Sequence, residues 1–450
     1  MTLDGNHSSR TDYAPNDGYL GGFVIAVTRT ARGVIIAYLT TSALFASAAS
    51  LIWGVNTLFL MAAGLDILEV MLVNTAFTVG QILFEVPTGV IADTIGRKAS
   101  FMLGNLTLVV STLLYVASSQ YRWGIWAFVG ASVLIGLGFT FQTGAVDAWL
   151  VDALDHTGYK GTRERVFSWG GMVFGTSMLI GTLAGGFLAQ IDLAWPYVVR
   201  AVLLLGCLIA AGVMMEDLGF QKRPLRRATF GAETRAILEA GVTFGWNNRV
   251  VRPLMFVSLA IGFSAMYTFY AWQRYALDLL GTDLIWVVGV LTAISSLAGI
   301  AGNALVRQVM REGARRRDPA RVLSVAMVVS AVLMAGVGAV GLLTHTPGVV
   351  PMLVAATLWT LWSVVFGIAG PVRQAYLNAQ VPSAQRATVL SLDALFGDVG
   401  GSAGQPLLGW IAKMWSIPLG IIIGAAFLAV GAPLYRAAGR GEVRAWPTSE

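Results

Sequence analysis

The sequence predicts an all-α polytopic membrane protein with twelve transmembrane helices in two pseudo-symmetric bundles of six. Of its 450 residues, 56% are hydrophobic and only 12% are charged, and the mean hydropathy is +0.70. A soluble chain carries about 25% charged residues, so a soluble protein with buried helices is the weaker alternative. Apolar runs close to the roughly 20 residues that cross a bilayer recur along the whole chain, and the two halves contain a repeated segment.

Each apolar run is predicted to be a helix, because a backbone in hydrocarbon must satisfy its own hydrogen bonds. The predicted spans are about 35–62, 68–92, 99–119, 123–150, 167–190, 195–215, 253–277, 284–306, 321–343, 350–372, 389–412 and 416–437.

The longest polar interruption divides these spans into six and six. It contains KRPLRRATFGAETRAILEAG, whose pattern predicts an amphipathic helix at the membrane surface near Ala232–Ala240. The predicted organisation is a cytoplasmic tail 1–33, a first bundle 34–215, a central cytoplasmic loop 216–252, a second bundle 253–437 and a cytoplasmic tail 438–450.

An internal repeat supports the division. The segment RERVFSWGGMVFGTSMLIGTLAGGFLA (163–189) aligns without gaps to RATVLSLDALFGDVGGSAGQPLLGWIA (386–412). The two segments occupy the same position in each half, as spans five and eleven. Such repeats are typical of transporters that bind their substrate between two related bundles.

The Lys and Arg residues that give the net charge of +6 are concentrated on one side of the predicted membrane topology. One set of loops and both tails contain nearly all Lys and Arg residues, whereas the other loops receive only Arg122 and Lys413. The positive-inside rule then places both termini in the cytoplasm, with the lipid bilayer as the partner and no nucleic acid. The single Cys207 cannot form an intrachain disulfide, and no cleaved signal peptide is expected in residues 1–33.

The stretch FEVPTGVIADTIGRKAS joins spans two and three. Its pattern Gly89-x-x-x-Asp93-x-x-Gly96-Arg97-Lys98 resembles the loop motif of the major facilitator superfamily, with Thr94 where a cation is usual. Together with twelve spans and the six-plus-six division, the resemblance covers essentially the whole chain. It implies a monomeric secondary transporter that uses a proton gradient and needs no cofactor or metal.

Further segments resemble the drug-efflux branch of that superfamily, in a bacterial inner membrane. Gly181-Thr-Leu-Ala-Gly185-Gly186 in span five is similar to the antiporter element Gly-Pro-x-x-Gly-Gly, with Thr182 replacing the proline. Span four departs from the branch, whose members usually carry a buried arginine there. The corresponding position is Val133, and no arginine lies nearby.

The resemblance implies a conformational latch at the loop motif. Asp93 could accept hydrogen bonds from the positive N-terminus of span eleven, and Asp147 could pair with Arg97, an arrangement that the family uses. The alternative is that Arg97 and Lys98 only set the topology.

Three carboxylates are candidates for proton coupling: Glu85, Asp147 and Asp398. Glu85 lies two helical turns before Asp93, where a carboxylate is costly unless it faces protein or water. A carboxyl group in such a place can load and release a proton near neutral pH, or it can simply hydrogen-bond a neighbouring span. Arg373 is a possible partner for Asp393.

Glycines predict close helix contacts, through Gly181, Gly185 and Gly186 on span five and through Gly400 and Gly404 on span eleven. Small residues let helices approach and slide, so these positions serve either motion or plain packing.

Polar and aromatic residues on spans one, seven and ten are candidates for a substrate cavity, since such cavities are mostly apolar with a few placed polar groups. The alternative is that they mark interfaces or fill helix contacts. The candidates are Trp53, Asn56, Tyr267, Tyr270, Arg274, Trp359 and Trp362.

The predicted function is secondary active transport of a small, amphipathic or hydrophobic organic molecule, with proton-coupled efflux ahead of nutrient import. A membrane enzyme would need catalytic groups, yet the three histidines fall in tails or loops and no nucleophile–base pair or phosphate-binding loop is present. A channel is disfavoured by the repeat, which suits alternating access.

Overall fold

The computed structural model describes residues 29–142, 144–220, 243, 246–312 and 315–441. Residues 1–28 of the predicted tail 1–33, residues 442–450 of the predicted tail 438–450 and the amphipathic helix near Ala232–Ala240 lie outside the described residues. Of the remaining tail residues, 31–33 and 438–441 are helical, which extends spans one and twelve beyond their predicted ends. The helices that form the spans are Ala31–Ser50 and Asn56–Ala62 (span one), Ile67–Ile95 (two), Arg97–Gln120 (three), Ile125–Gln142 and Ala145–His156 (four), Arg163–Ile191 (five), Trp195–Met214 (six), Val251–Leu280 (seven), Ile285–Val309 (eight), Pro319–Leu343 (nine), Val349–Ala379 (ten), Arg386–Met414 (eleven), and Ile417–Ala429 and Gly431–Gly441 (twelve).

The all-α membrane class is confirmed. Eleven of these spans are long and apolar enough to cross a bilayer. Span eleven is less apolar, but its 29 residues reach about 43 Å at the α-helical rise. The described chain also contains one hairpin of two-residue strands, β1 (Arg311–Glu312) and β2 (Arg315–Arg316), between spans eight and nine.

Three spans are interrupted, which corrects the prediction of one continuous helix each. Span one stops at Ser50 and resumes at Asn56, and span twelve is divided at Val430. In span four the second segment begins after Gly144, whose φ of 74° cannot continue a right-handed helix. At the interruption of span one, side chains from other spans bind the freed backbone groups, as a low-dielectric interior requires.

Packing within the two halves is pseudo-symmetric. In the N-terminal half (spans one to six), span one contacts spans five and six, span four contacts spans two and three, and span three contacts span six. The C-terminal half (spans seven to twelve) repeats every one of these contacts with the span number raised by six. Between the halves, span two packs on span eleven and span five on span eight, which is again one contact and its symmetry mate.

The halves meet at only one end of the bundle. The end with the interspan loops around Gly96, Gly158 and Ser383 is called the cation-rich face, and the end with the loops around Gly124 and Gly281 the cation-poor face. Among the described residues, the hydrogen bonds, ion pairs and ring contacts that join the halves lie towards the cation-poor face. The halves therefore diverge towards the cation-rich face.

Span five shows this divergence along its own length. Near the cation-poor face, a Cβ on Gly186 would lie 2.9 Å from the Cα of Gly289 on span eight. About three and four turns closer to the cation-rich face, Gly175 and Gly171 have no neighbour within 4 Å of that position. Gly171 and Gly175 therefore border open space rather than a packed helix.

The other predicted glycines lie at helix contacts inside each half. A Cβ on Gly185 would overlap the carbonyl oxygen of Leu51, and one on Gly404 would overlap that of Phe263. Gly181 and Gly400 approach spans one and seven as closely. Spans one and five, like spans seven and eleven, thus pack backbone against backbone.

We expect Gly185→Ala to destabilise the protein by about 1–3 kcal/mol, since the added methyl group overpacks against Leu51. The matched control is Gly175→Ala on the same helix, where the methyl group meets open space and stability stays the same or rises slightly. Thermal unfolding of the purified protein in detergent measures both variants. Equal midpoints for Gly185→Ala and the wild type would contradict this close contact.

Candidate functional site

A buried glutamine joins the two halves near the cation-poor face. Gln273 of span seven, 1% exposed, accepts the backbone N–H of Thr57 at 2.8 Å and donates to the carbonyl oxygen of Trp53 at 2.8 Å. The Thr57 hydroxyl donates to the carbonyl oxygen of Tyr270 at 2.8 Å. These three bonds, called the clamp, bridge the interruption of span one and close this face.

Two further contacts join the halves towards the cation-poor face. The Lys413 ammonium lies 2.7 Å from the Asp66 carboxylate, joining spans eleven and two at the surface. Burial raises the pKa of Asp66, but hydrogen bonds from Lys413 and the backbone N–H of Glu69 outweigh it and hold that pKa below its usual value. Phe187 and Trp286 stack between spans five and eight, with ring centroids 6.0 Å apart.

The C-terminal half contains a cavity of about 390 Å³. Spans seven, nine, ten, eleven and twelve line it, mostly with apolar and small side chains, among them Trp362 and Phe366. Its polar wall is formed by Ser258, Arg373 and Asp393. The volume suits a small organic molecule.

The polar wall is an ion-pair network. Arg373 donates from Nη1 and Nη2 to the two Asp393 oxygens at 2.8 and 2.6 Å. Ser258 donates to Asp393 at 2.8 Å and accepts from Arg373, which also donates to the Leu254 carbonyl oxygen. The possible Arg373–Asp393 pair is therefore present, and the network ties spans seven, ten and eleven together.

The N-terminal half contains a cavity of about 470 Å³ at the related position, lined by spans one, three, four and five. Its chemistry differs. Gly170, which aligns with Asp393, packs against the Tyr38 ring, and the Tyr38 hydroxyl donates to the exposed Asp147 carboxylate at 3.5 Å. The fold is pseudo-symmetric, whereas the charges that line the two cavities are different.

Glu85 is exposed rather than buried in its span. It lies within electrostatic reach of Asp398 on the wall of the C-terminal cavity. Two of the three coupling candidates thus lie near each other, one on each half. The third, Asp147, lines the other cavity.

The loop motif does not form its predicted contacts in this arrangement. Arg97 pairs with Asp93 one turn earlier at 2.9 Å, rather than with Asp147. Within the described part of the chain, no hydrogen bond or ion pair joins Asp93 to span eleven. The reason is geometric, because the halves are separated at the cation-rich face, where this motif lies.

The motif contains a contact that sequence reasoning missed. Gly96 has a φ of 115° and packs against the Asp217 carboxylate, which accepts the backbone N–H of Lys98 at 2.8 Å. Asp217 thereby caps the N-terminus of span three. The positive φ and the close approach explain glycine at this position, but no local pattern links residue 217 to residue 98.

The predicted cavity residues divide into two groups. Trp53, Asn56 and Tyr270 line a smaller cavity of about 60 Å³ beside the clamp, and Trp362 lines the C-terminal cavity. The other three candidates line neither of these two cavities nor the cavity of about 470 Å³ in the N-terminal half, which corrects the prediction for them. Tyr267 donates to the Ile417 carbonyl oxygen in the core, Trp359 stacks on Trp272 at 4.5 Å, and Arg274 pairs with Asp278 at 2.7 Å.

The small cavity also contains Arg200 of span six, which sequence reasoning missed. The side chain is 1% exposed, and its Nε donates to the Thr112 hydroxyl at 3.1 Å. A lone arginine in an apolar span was the available signal, because such residues mark functional sites in membranes. Across the described ranges, no group of three His, Cys, Asp or Glu side chains could hold a metal ion.

Residues 33–404 match the Major Facilitator Superfamily. The chain belongs to this superfamily. Membership of the Major Facilitator Superfamily indicates a transporter rather than an enzyme, and it agrees with the apolar helices of a multi-pass membrane protein.

Relatives within the Major Facilitator Superfamily are distant. The uncharacterized MFS-type transporter YxaM of Bacillus subtilis (strain 168) is 22% identical over 84% of this chain and 89% of its own. Protein Zinc Induced Facilitator 1 of Arabidopsis thaliana is 29% identical over 30% of this chain, which spans only 26% of that protein's length. The class H tetracycline resistance protein of Pasteurella multocida is 27% identical over 27% of this chain and 28% of its own.

Among solved structures, the nucleoside transporter NupG matches the fold with a TM-score of 0.71. The match covers 91% of this chain and 98% of NupG at 12% identity, so it concerns the fold alone.

We expect Gln273→Met to shift the protein towards a conformation open at the cation-poor face. The variant keeps the side-chain volume but loses both bonds of Gln273, each worth about 0.5–1.5 kcal/mol net. Double electron–electron resonance between spin labels at Asp192→Cys and His345→Cys, with Cys207→Ala, measures the separation of the halves.

The matched control is Gln405→Met, which removes a buried glutamine whose bond to the Gly401 carbonyl oxygen stays inside span eleven. The control should keep the wild-type distance distribution. An unchanged distribution for Gln273→Met would show that the clamp does not hold this face closed.

Proposed function

We propose that this protein exports a small, amphipathic or hydrophobic organic molecule from the cytoplasm by alternating access. The observation that carries the proposal is the one-sided joining of two pseudo-symmetric halves. A clamp closes one face, while a cavity in each half lies where the halves diverge. Exchange of the closed and open ends would carry a molecule from one side to the other.

In this proposal the cation-rich face is cytoplasmic, and both termini lie in the cytoplasm of a bacterial cell. The support is the distribution of Lys and Arg. In a chain with Cys207→Ala, a membrane-impermeant maleimide should label Thr346→Cys in intact cells, and Arg317→Cys only after permeabilisation. The reverse labelling pattern would invert the topology.

Export is favoured over import by two observations. The span-five glycines resemble the antiporter element, and one relative is named for tetracycline resistance. Import of a nutrient is the alternative, since fold does not fix direction. The protein is expected to act as a monomer, without a cofactor.

Protons are the proposed coupling ion, and Glu85 is the first candidate to carry one. Glu85 on span two and Asp398 on span eleven lie within electrostatic reach of each other, one on each half, and a carboxyl group inside a membrane span is a candidate proton carrier. Closing the cation-rich face would bring spans two and eleven together there. In that closed state, Asp93 would reach the N-terminus of span eleven and act as the latch.

The test begins with growth of a susceptible bacterial host, with and without the gene, in a panel of toxic compounds. A compound that the gene protects against is then followed in proteoliposomes under a pH gradient of about one unit. Exchange of one proton per molecule sustains about a tenfold concentration ratio, because one pH unit stores about 1.4 kcal/mol. Protection against no compound, together with gradient-driven uptake of a nutrient, would favour the importer.

Glu85→Gln should reduce that ratio to about one while equilibrium binding of the compound remains, because the amide keeps the shape of the side chain but cannot release a proton. Asp155→Asn is the control, because Asp155 is an exposed partner of Arg163 away from both cavities. If Glu85→Gln still concentrates the compound like the wild type, Glu85 does not carry the coupling proton.

A further inference from the structure

Arg200 is a cation buried inside the N-terminal half. It lies five residues after the start of span six, or about 8 Å from that end of the helix. Nη1 donates to the carbonyl oxygens of Ala48 and Ala49, at 3.2 and 3.4 Å, just before the interruption of span one. Part of the guanidinium therefore satisfies backbone groups that the interruption sets free.

The rest of the guanidinium is not satisfied. Nη2 is buried and has no hydrogen-bond partner. Among the described residues, no carboxylate forms an ion pair with Arg200. Its guanidinium lies over the Phe139 ring, with Cζ 5.9 Å from the ring centroid. A buried charged donor without an acceptor is costly, and arginine matches carboxylate and phosphate groups with its planar fork.

The small cavity beside Arg200 has the size and the walls for one polar group. Its volume of about 60 Å³ holds about two waters at about 30 Å³ each. Hydrogen-bonding side chains share the wall with Arg200, namely Asn56, Asn74, Tyr115, Ser132 and Tyr270. It is therefore a polar subsite rather than room for a whole organic molecule.

The subsite adjoins the larger N-terminal cavity. Phe139 of span four lines both the 470 Å³ cavity and the small one, so the two cavities are adjacent. Ser132 and Phe139 place span four beside the guanidinium of Arg200. Span six thus supplies a buried arginine next to span four, which has none at Val133.

We propose that this subsite binds the acidic group of the transported molecule, so that the substrate class is small organic anions with a carboxylate or phosphate group. The inference rests on the proposed transport function. The acidic group would accept from Arg200 and from the neighbouring hydroxyl and amide groups, while the apolar part occupies the larger cavity beyond Phe139.

The subsite also touches the clamp. Trp53 and Tyr270 line the small cavity, and their carbonyl oxygens are two of the acceptors that hold the cation-poor face closed. An anion bound at Arg200 would compete with the carbonyl oxygens of Ala48 and Ala49 for the same guanidinium. Binding would thereby loosen the end of span one that the clamp secures.

The experiment compares acids with their uncharged amides, using octanoate with octanamide and benzoate with benzamide. Binding to the purified full-length chain is measured by calorimetry in nanodiscs of phosphatidylcholine alone, which removes anionic lipid headgroups as competitors. We expect at least one acid to bind about tenfold or more tightly than its amide. Added phosphatidylglycerol that abolishes the preference would assign the subsite to a lipid headgroup instead.

Arg200→Met should remove the preference, and Arg200→Lys should keep part of it, because the charge remains while the fork is lost. Arg274→Met is the matched control, since Arg274 is paired with Asp278 away from the cavities, and it should bind like the wild type. If Arg200→Met does not fold, the variants Asn56→Leu and Tyr270→Phe test the same cavity wall. In each variant, we expect the preference for the acid over its amide to be weaker than in the wild type.

Equal binding of acid and amide by the wild type, or no binding of either, overturns the anion subsite. If the protein exports only uncharged compounds under the gradient, the anion subsite is also overturned, but the transport proposal stands. Conversely, an acid preference that depends on Arg200, in a protein that transports nothing, would retain the subsite and reject the transport function.

Discussion

The structure depends on a one-ended contact between its halves. Span two meets span eleven and span five meets span eight near the cation-poor face, and the glutamine clamp locks that end. The halves diverge at the other end. The two larger cavities, the exposed Glu85 and the loop motif all lie where the halves do not contact each other. Since a lipid interior cannot hydrate exposed backbone, such an opening is possible only because each half is internally complete.

Two halves of one fold have acquired different chemistry. In the C-terminal half, an arginine and an aspartate neutralise each other on the cavity wall. In the N-terminal half, Gly170 aligns with this aspartate, and the Tyr38 ring packs against Gly170. The buried arginine of this half, Arg200, lies at a different position, and its Nη2 has no hydrogen-bond partner. Removing one member of a buried ion pair leaves a costly charge. In the C-terminal half, Arg373 and Asp393 therefore satisfy each other. In the N-terminal half, Nη2 of Arg200 lacks an acceptor, which an anion could supply.

The sequence was sufficient for the fold and for a few of the contacts. Hydropathy locates the spans because crossing a bilayer requires a long apolar helix, and the glycines at 185 and 404 mark backbone contacts that only glycine permits. The partner of Asp393 could be suggested because both residues lie near the same end of neighbouring spans. The interruptions of spans one, four and twelve could not be predicted. The interruption of span one depends on Gln273 and Arg200, which bind its freed backbone groups from other helices. Likewise, Tyr267, Trp359 and Arg274 share helix faces with cavity residues, and only the packing shows that they are already occupied.

The hydrogen bond between Asp217 and the backbone N–H of Lys98 determines where the chain could be cut into two fragments, one for each half. Glu216 and Asp217 follow span six, but they are bound to the N-terminal half through Trp149, Arg29 and Lys98. The connection between the halves therefore begins beyond these residues rather than at the end of the helix. A protein expressed as two separate fragments would keep the start of span three capped only if the cut fell after Asp217. The first fragment would then contain both span three and Asp217, the residue that caps its N-terminus.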